Sequence, residues 1–301
     1  MATKWEGVYP AVTTKFTADF KLDHPAMEKN FQAQLDAGVH GLICCGSLGE
    51  NGVLSAEEKI EVLKTAVNVS AGKVPVILTI AETTTAAACE MAKQGVKNGA
   101  DGFMLLPPMR YTSDERETVV FLEAVAAVSE RPIMIYNNPV AYNIDVTPQM
   151  FADLAKNDTF VALKESSDNV RRITDIKNYC GDRYQIFTGV DNLALESLLM
   201  GADGWVAGLV CAFPRETVVI YELAKQNRIA EALEIYRWFK PVLDLDVSTK
   251  LVQNIKLAEQ MTGLGNENVR PPRLPLIGEE RQKVVQTLQK ALDSRPVMPN
   301  L

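Results

Sequence analysis

The chain has only two histidines in 301 residues. His24 precedes a helical pattern and His40 precedes an apolar run, so neither stands where a catalytic base or metal ligand would be presented. Histidine catalysis and a histidine-rich metal centre are disfavoured. The five cysteines, Cys44, Cys45, Cys89, Cys180 and Cys211, are odd in number and include no Cys-x-x-Cys pair. Buried, reduced thiols are therefore expected, and neither a disulfide framework nor a thiolate metal site. No apolar run approaches the ~18 residues that a membrane span needs. The start, Met1-Ala2-Thr3-Lys4-Trp5-Glu6, has no apolar signal-peptide core. Lys+Arg of 31 against Asp+Glu of 38 leaves a net charge of −7, with no basic cluster to attract phosphate backbones or anionic lipids. The expectation is a cytoplasmic protein with neither nucleic acid nor membrane as partner. A glycine-rich phosphate loop is missing too: Val12-Thr13-Thr14-Lys15-Phe16 has no glycine after the first apolar run, and no P-loop or dinucleotide fingerprint occurs elsewhere.

What the chain does have is alternation. Apolar, β-branched runs recur at 8–14, 39–45, 74–80, 102–106, 133–136, 160–164, 185–188 and 205–209, which makes eight candidate strands. Helical patterns lie between them. Met27, Phe31 and Leu35 share a face with Gly38 as C-terminal cap, Ser55 to Glu58 and Thr112 to Glu115 read as capping boxes, and Thr147-Pro148 opens another helix. Glu82-Thr83-Thr84-Thr85, after the third run, reads as a cap, with pocket lining as the alternative, and Asp168 and Asp191 read as caps. Continuous apolar strands joined by helical crossovers imply a parallel sheet covered on both faces. Eight such units make an α/β fold, a (β/α)₈ TIM barrel. Beyond the eighth strand only helical patterns follow, over 216–226, 229–239, 251–262 and 279–292. The division is thus a barrel core over 1–213, then the last barrel helix and a C-terminal helical extension over 214–301. Val269-Arg270-Pro271-Pro272-Arg273-Leu274-Pro275 reads as an extended connector.

In such a barrel, catalytic groups stand at the C-terminal ends of strands. Lys164 ends the sixth candidate strand. An amine desolvated there has its pKa lowered from ~10.4 and can attack a carbonyl as a neutral nucleophile, which is Schiff-base chemistry. Tyr136 ends the fifth strand, beside it, where a phenol can shuttle protons. Gly46-Ser47-Leu48-Gly49-Glu50 ends the second strand. Its glycines let backbone N–H groups approach an anion and Ser47 adds a hydroxyl, so a substrate carboxylate fits at Ser47, Leu48 and Gly49. Gly189 follows strand seven and Gly208 lies near the end of strand eight, where a ligand can approach closely.

Taken in order, these strings resemble the dihydrodipicolinate synthase/N-acetylneuraminate lyase family over essentially the whole chain. Gly46-Ser47-Leu48-Gly49-Glu50 is similar to its Gly-[Thr/Ser]-Thr-Gly-Glu loop, Tyr136-Asn137-x-Pro139 to its Tyr-Asn-x-Pro motif, and Leu163-Lys164-Glu165-Ser166-Ser167 to its Lys-[Asp/Glu]-[Ser/Thr]-Ser segment. The resemblance implies that Lys164 forms an imine with a small 2-oxo or 2-imino acid, that Tyr136 relays protons, and that no metal or organic cofactor takes part. A homotetramer built as a dimer of dimers is implied in the same way. Three departures stand out. Leu48 replaces the second loop hydroxyl of a two-tyrosine relay, Ala141 replaces an arginine that holds a second carboxylate, and Pro108-Met109-Arg110-Tyr111 replaces a Pro-Tyr-Tyr string, with Tyr111 as its substitute. The strings 106–111 and 136–142 look like a hydroxyproline-degrading branch that deaminates 1-pyrroline-4-hydroxy-2-carboxylate. The alternatives are a dihydrodipicolinate synthase, a pyruvate-dependent aldolase or sugar-acid dehydratase, and, in another class, a silent barrel that binds a 2-oxo acid.

Overall fold

The structure, a computed structural model, describes residues 5–108 and 111–301. Met109 and Arg110, and the first four residues of the N-terminal segment, lie outside the described residues. Eight strands form one parallel sheet: β1 (Gly7–Pro10), β2 (Leu42–Cys44), β3 (Val76–Ile80), β4 (Gly102–Leu105), β5 (Ile133–Asn137), β6 (Phe160–Glu165), β7 (Gln185–Thr188) and β8 (Gly204–Ala207). The order around the sheet is β1-β8-β7-β6-β5-β4-β3-β2. A parallel bridge between Ala11 and Ile43, with Val12 N–H donating to Ile43 O at 3.0 Å, joins the two remaining edges. This is the (β/α)₈ TIM barrel, and its strands are almost continuously buried because helices cover the outside.

The strands are shorter than the apolar runs that predicted them, and each trimmed end has a reason. β1 stops at Pro10, and Thr13 and Thr14 leave the ladder to donate their hydroxyls to Glu259 and to Gly49 O. β2 stops before Cys45, whose φ of 58° turns the chain into the loop. Past β8, Leu209–Cys211 is a short 3₁₀ turn. The capping box expected at Thr112 sits two residues later: Asp114 Oδ1 accepts from Glu117 N at 2.8 Å, and Glu117 returns the bond to Asp114 N. Ser55 and Glu58 cap each other as expected, and Thr84 and Thr147 each accept from the backbone N–H three residues on. Asp168 and Asp191 are not caps. Asp168 has a φ of 58°, and Asp191 opens a 3₁₀ turn with its carboxylate fully buried.

After β8 come four helices, Pro214–Lys225, Ile229–Leu243, Leu251–Met261 and Gly278–Asp293. They are pinned to the barrel by buried charge: Lys15 Nζ meets Glu259 Oε1 at 2.6 Å, and Lys256 Nζ donates to Glu50. Arg270, in the proline-rich connector, reaches both carboxylate oxygens of Glu58 at 2.8 Å. No helix of the described residues is long and apolar enough to cross a membrane.

Candidate active site

Strands β5 and β6 pair with Tyr136 opposite Lys164 and Asn137 opposite Glu165. Because side chains alternate along a strand, the first pair faces the barrel mouth while the second locks the strand ends from outside. Asn137 Nδ2 donates to Glu165 Oε2 at 3.0 Å, and Glu165 Oε1 accepts from Ser167 N at 2.7 Å. Lys164 is thereby held with its Nζ 4.1 Å from the centroid of the Tyr136 ring. Burial lowers its pKa from the ordinary lysine value, against the opposing pull of Asp246, Tyr142 and Asp191. The face of an aromatic ring supports a cation only weakly compared with a carboxylate, so the neutral amine is accessible.

Both Lys164 and Tyr136 open onto a cavity of about 190 Å³, room enough for a small organic acid. Its wall also carries Ser47, Leu48, Ala141, Gly189 and Gly208. Gly189 is glycine for a measurable reason: a β-carbon there would lie 2.2 Å from Ser166 Oγ and 2.4 Å from Lys164 Cε. Two residues singled out from the sequence are placed elsewhere. Gly49 does not line the cavity. Its backbone packs so closely on Val12 O and Cys45 that a β-carbon would sit 3.0 to 3.1 Å from them. Tyr111 is 56% exposed, outside the cavity lining.

Three groups join the site that motif reading left unassigned. Tyr142 ends a short helix, Pro139–Tyr142, which Asn138 caps by accepting from Ala141 N at 2.9 Å. Its hydroxyl hydrogen-bonds Ser47 Oγ, and its ring packs edge-on against Tyr136 at 5.8 Å. A two-tyrosine arrangement therefore exists within one chain and uses Ser47, whereas Leu48 offers only apolar surface. Burial raises the pKa of both phenols, so both are held protonated near neutral pH. The Asn-Pro pair at 138–139 was a readable cap signal for this helix. Ser166 adds a buried hydroxyl. Asp246, just beyond the helix Ile229–Leu243, reaches the cavity from the C-terminal helices, and nothing local in Leu243-Asp244-Leu245-Asp246 marks it.

The arrangement can form a carbon–nitrogen bond at Lys164, exchange protons through buried phenols and a carboxyl group, and receive an anionic group near Ser47. Known proteins carry the same architecture. The family model described as the dihydrodipicolinate synthetase family matches residues 4–291. A 4-hydroxy-tetrahydrodipicolinate synthase from Archaeoglobus fulgidus is 32% identical, with 95% of this chain and 98% of that protein covered. One from Methanothrix thermoacetophila is 30% identical over 96% of this chain and 98% of that protein. Among solved structures, the 4-hydroxy-tetrahydrodipicolinate synthase of Methylacidiphilum fumariolicum superposes with a TM-score of 0.92 at 26% identity, covering 96% of this chain and 97% of that one. A prophage protein of the dihydrodipicolinic acid synthase family from E. coli, solved in complex with pyruvate, has a TM-score of 0.91 at 26% identity, covering 96% of this chain and 99% of that one. A profile spanning nearly the whole chain, relatives above the level at which fold and family part company, and a barrel mouth built around Lys164 and Tyr136 agree: the chain belongs to the dihydrodipicolinate synthetase family of Schiff-base (β/α)₈ lyases.

Proposed function

We propose that this chain is a lyase whose Lys164 forms an imine with a small 2-oxo or cyclic 2-imino acid, and that its substrate is 1-pyrroline-4-hydroxy-2-carboxylate. The observation that carries the choice is the composition of the cavity wall. Among the described lining residues the only cation is Lys164, and Ala141 stands where an arginine clamp for a second carboxylate would. A ring with one carboxylate, received by the Ser47 loop, leaves no anion unpaired.

The steps follow from the ring's chemistry. Lys164 Nζ adds to C2 of the cyclic imine and the ring nitrogen departs as an amine, leaving an open-chain imine on the lysine. Loss of a C3 proton gives the enamine, whose electrons expel the 4-hydroxyl as water with Tyr136 as proton donor. The remaining C5 amine tautomerises to an imine. Hydrolysis at C2 and C5 then releases 2,5-dioxopentanoate and ammonia, one water being consumed overall. The lysine imine serves as the electron sink, so the chemistry calls on no metal or organic cofactor. The homotetramer of paired dimers remains part of this reading, with light scattering as its check.

A second reading, condensation of pyruvate with aspartate semialdehyde, is favoured by the names of the relatives. The missing arginine argues against it, since loss of a charge-assisted hydrogen bond costs roughly 1.5–3 kcal/mol, about one to two decades in rate or affinity. Incubation with the pyrroline, followed by assay of ammonia and of the dioxo acid through a dehydrogenase, should give both products in equal amount. Efficient condensation in a coupled synthase assay, with neither product from the pyrroline, would reverse the order of the two readings.

A further inference from the structure

Asp246 enters the cavity through a gap that the sequence leaves open for it. A β-carbon at Gly208 would lie 2.5 Å from Asp246 Oδ1 and 3.0 Å from Ile255 Cδ1, so the bare backbone at the end of β8 admits the carboxylate. The neighbouring carboxylate, Asp191, is already committed. It accepts from Trp205 Nε1 at 2.9 Å, from Leu209 N at 2.7 Å and from Gly208 N at 3.1 Å. Asp246 is the deeper of the two carboxylates on the cavity wall, Asp168 being exposed at its rim. Lys164 forms no ion pair among the described residues, its Nζ resting on the Tyr136 ring instead. Amine and carboxylate both line the one cavity, where a reacting carbon would sit.

Resting on the Schiff-base reading above, we propose that Asp246 is a catalytic acid–base residue, which takes a proton from Lys164 Nζ as that nitrogen bonds to C2 and delivers it to the atom that leaves C2. With a 2-oxo acid, the Nζ–C2 bond forms, the carbonyl oxygen becomes a hydroxyl, and protonation by Asp246 lets it leave as water while the nitrogen lone pair completes the imine. With a cyclic 2-imino acid the departing atom is the ring nitrogen, which leaves as an amine. In both cases the two amine protons pass in turn from the attacking to the leaving atom, one as the Nζ–C2 bond forms and one as the leaving atom departs, and Asp246 ends as it began.

The electrostatics suit this exchange. Asp246 is the largest charge acting on Lys164, ahead of Tyr142 and Asp191. Burial and the adjacent Asp191 push its carboxyl well above the ordinary carboxylate range, while burial pushes the lysine down. The two proton affinities approach each other, which favours transfer in either direction. The groups facing Asp246 are Lys164 from β6, Asp191 after β7 and Tyr136 from β5. Burial holds both tyrosines of the site in the protonated form, so in the resting site they stand as proton donors beside Asp246.

Pyruvate is a probe that does not depend on the natural substrate. Wild-type protein, Asp246→Asn and Asp246→Glu are each incubated with it in D₂O, and methyl hydrogen exchange, which requires imine and enamine, is followed by NMR. Borohydride trapping on Lys164 is measured in parallel against pH. The exchange rate of Asp246→Asn is expected to fall about 10²- to 10⁴-fold, with partial recovery in Asp246→Glu. The pH midpoint of trapping should move down in Asp246→Asn, because the charge that stabilises the ammonium is gone. A merely structural carboxylate would leave that midpoint in place. Should the Asn variant not fold, the Glu variant decides: a displaced pH limb supports the role, and a wild-type limb with wild-type exchange overturns it. Wild-type protein that traps no adduct overturns the Schiff-base reading and this proposal with it. Wild-type trapping beside an Asn variant of unchanged exchange and unchanged midpoint overturns the role of Asp246 alone.

Discussion

The seam between the barrel and its C-terminal helices buries lysines, and so does the barrel mouth, but the two regions treat them in opposite ways. At the seam, Lys15 and Lys256 are fully buried and each meets an equally buried glutamate, Glu259 and Glu50. Within the barrel, Lys59 likewise meets Glu82 at 2.6 Å. At the mouth, Lys164 is nearly as buried, yet its Nζ faces a tyrosine ring and an open cavity. A depressed pKa does not by itself separate them, since burial pushes Lys256 down to about 8 despite its partner. Access does. A paired lysine inside packed protein contributes structure, while an unpaired one on a cavity wall is free to bond to carbon.

That contrast can be broken by one substitution on each side. Lys164→Met should abolish both turnover and the pyruvate–borohydride adduct. Thermal stability should be unchanged or raised, because a desolvated amine with no carboxylate in ion-pair contact is replaced by an apolar side chain of similar length. Lys15→Met should do the reverse. Glu259 would keep the hydroxyl of Thr13 but lose its ammonium, a buried uncompensated charge that costs roughly 3–5 kcal/mol. Activity per folded molecule should survive, since Lys15 does not line the cavity. Denaturant unfolding and adduct mass spectrometry on both variants decide the matter. An active Lys164→Met, or a Lys15→Met of native stability, would erase the distinction.

A finer probe leaves the amine present and moves it. In Gly189→Ala the new methyl would stand 2.4 Å from Lys164 Cε and 2.2 Å from Ser166 Oγ, so both side chains must shift. A displacement of about 1 Å in a nucleophile commonly costs on the order of 10²-fold. The adduct should still form, more slowly, and kcat/KM should fall with little change in stability. Wild-type rates of trapping would mean that the lysine reaches its substrate from a position other than the one over Tyr136.

How far the contrast was legible beforehand depends on the range of the contacts. Lys164 and Tyr136 could be found because each ends an apolar strand and the barrel rule places strand ends together. Gly189 and Gly208 followed from the same logic. The seam could not be found. Lys15 sits in Val12-Thr13-Thr14-Lys15-Phe16, which reads as the end of a strand like any other, and its partner Glu259 lies on a helix at the far end of the chain. Gly49 looked like a ligand contact because a glycine can admit either an anion or a neighbouring backbone, and here it admits Val12 O. Asp191 looked like a cap, but its partners are Trp205, Gly208 and Leu209, all on or after the next strand. The eight-strand barrel was readable from local alternation. Which polar groups turn inward at its mouth depends on pairings between distant segments, and a single sequence does not display them.

The smallest expected effect tests whether the mouth depends on the relay beyond its lysine. Ser47 Oγ and the Tyr142 hydroxyl are hydrogen-bonded, and the Tyr142 ring leans on Tyr136, whose own phenol oxygen accepts from Asn138 Nδ2 at 3.0 Å. Ser47→Ala removes one end of this chain and leaves the nucleophile untouched. Loss of a neutral hydrogen bond is worth about 0.5–1.5 kcal/mol, so a fall of roughly 2- to 12-fold is expected. The form of the fall carries the information. If Ser47 only receives the substrate carboxylate, KM rises and kcat holds. If it also orients Tyr142 toward Tyr136, kcat falls as well and methyl exchange into pyruvate slows with it. Unchanged kcat, KM and exchange together would remove Ser47 from the site and leave the chemistry to Lys164, Tyr136 and the groups across the cavity.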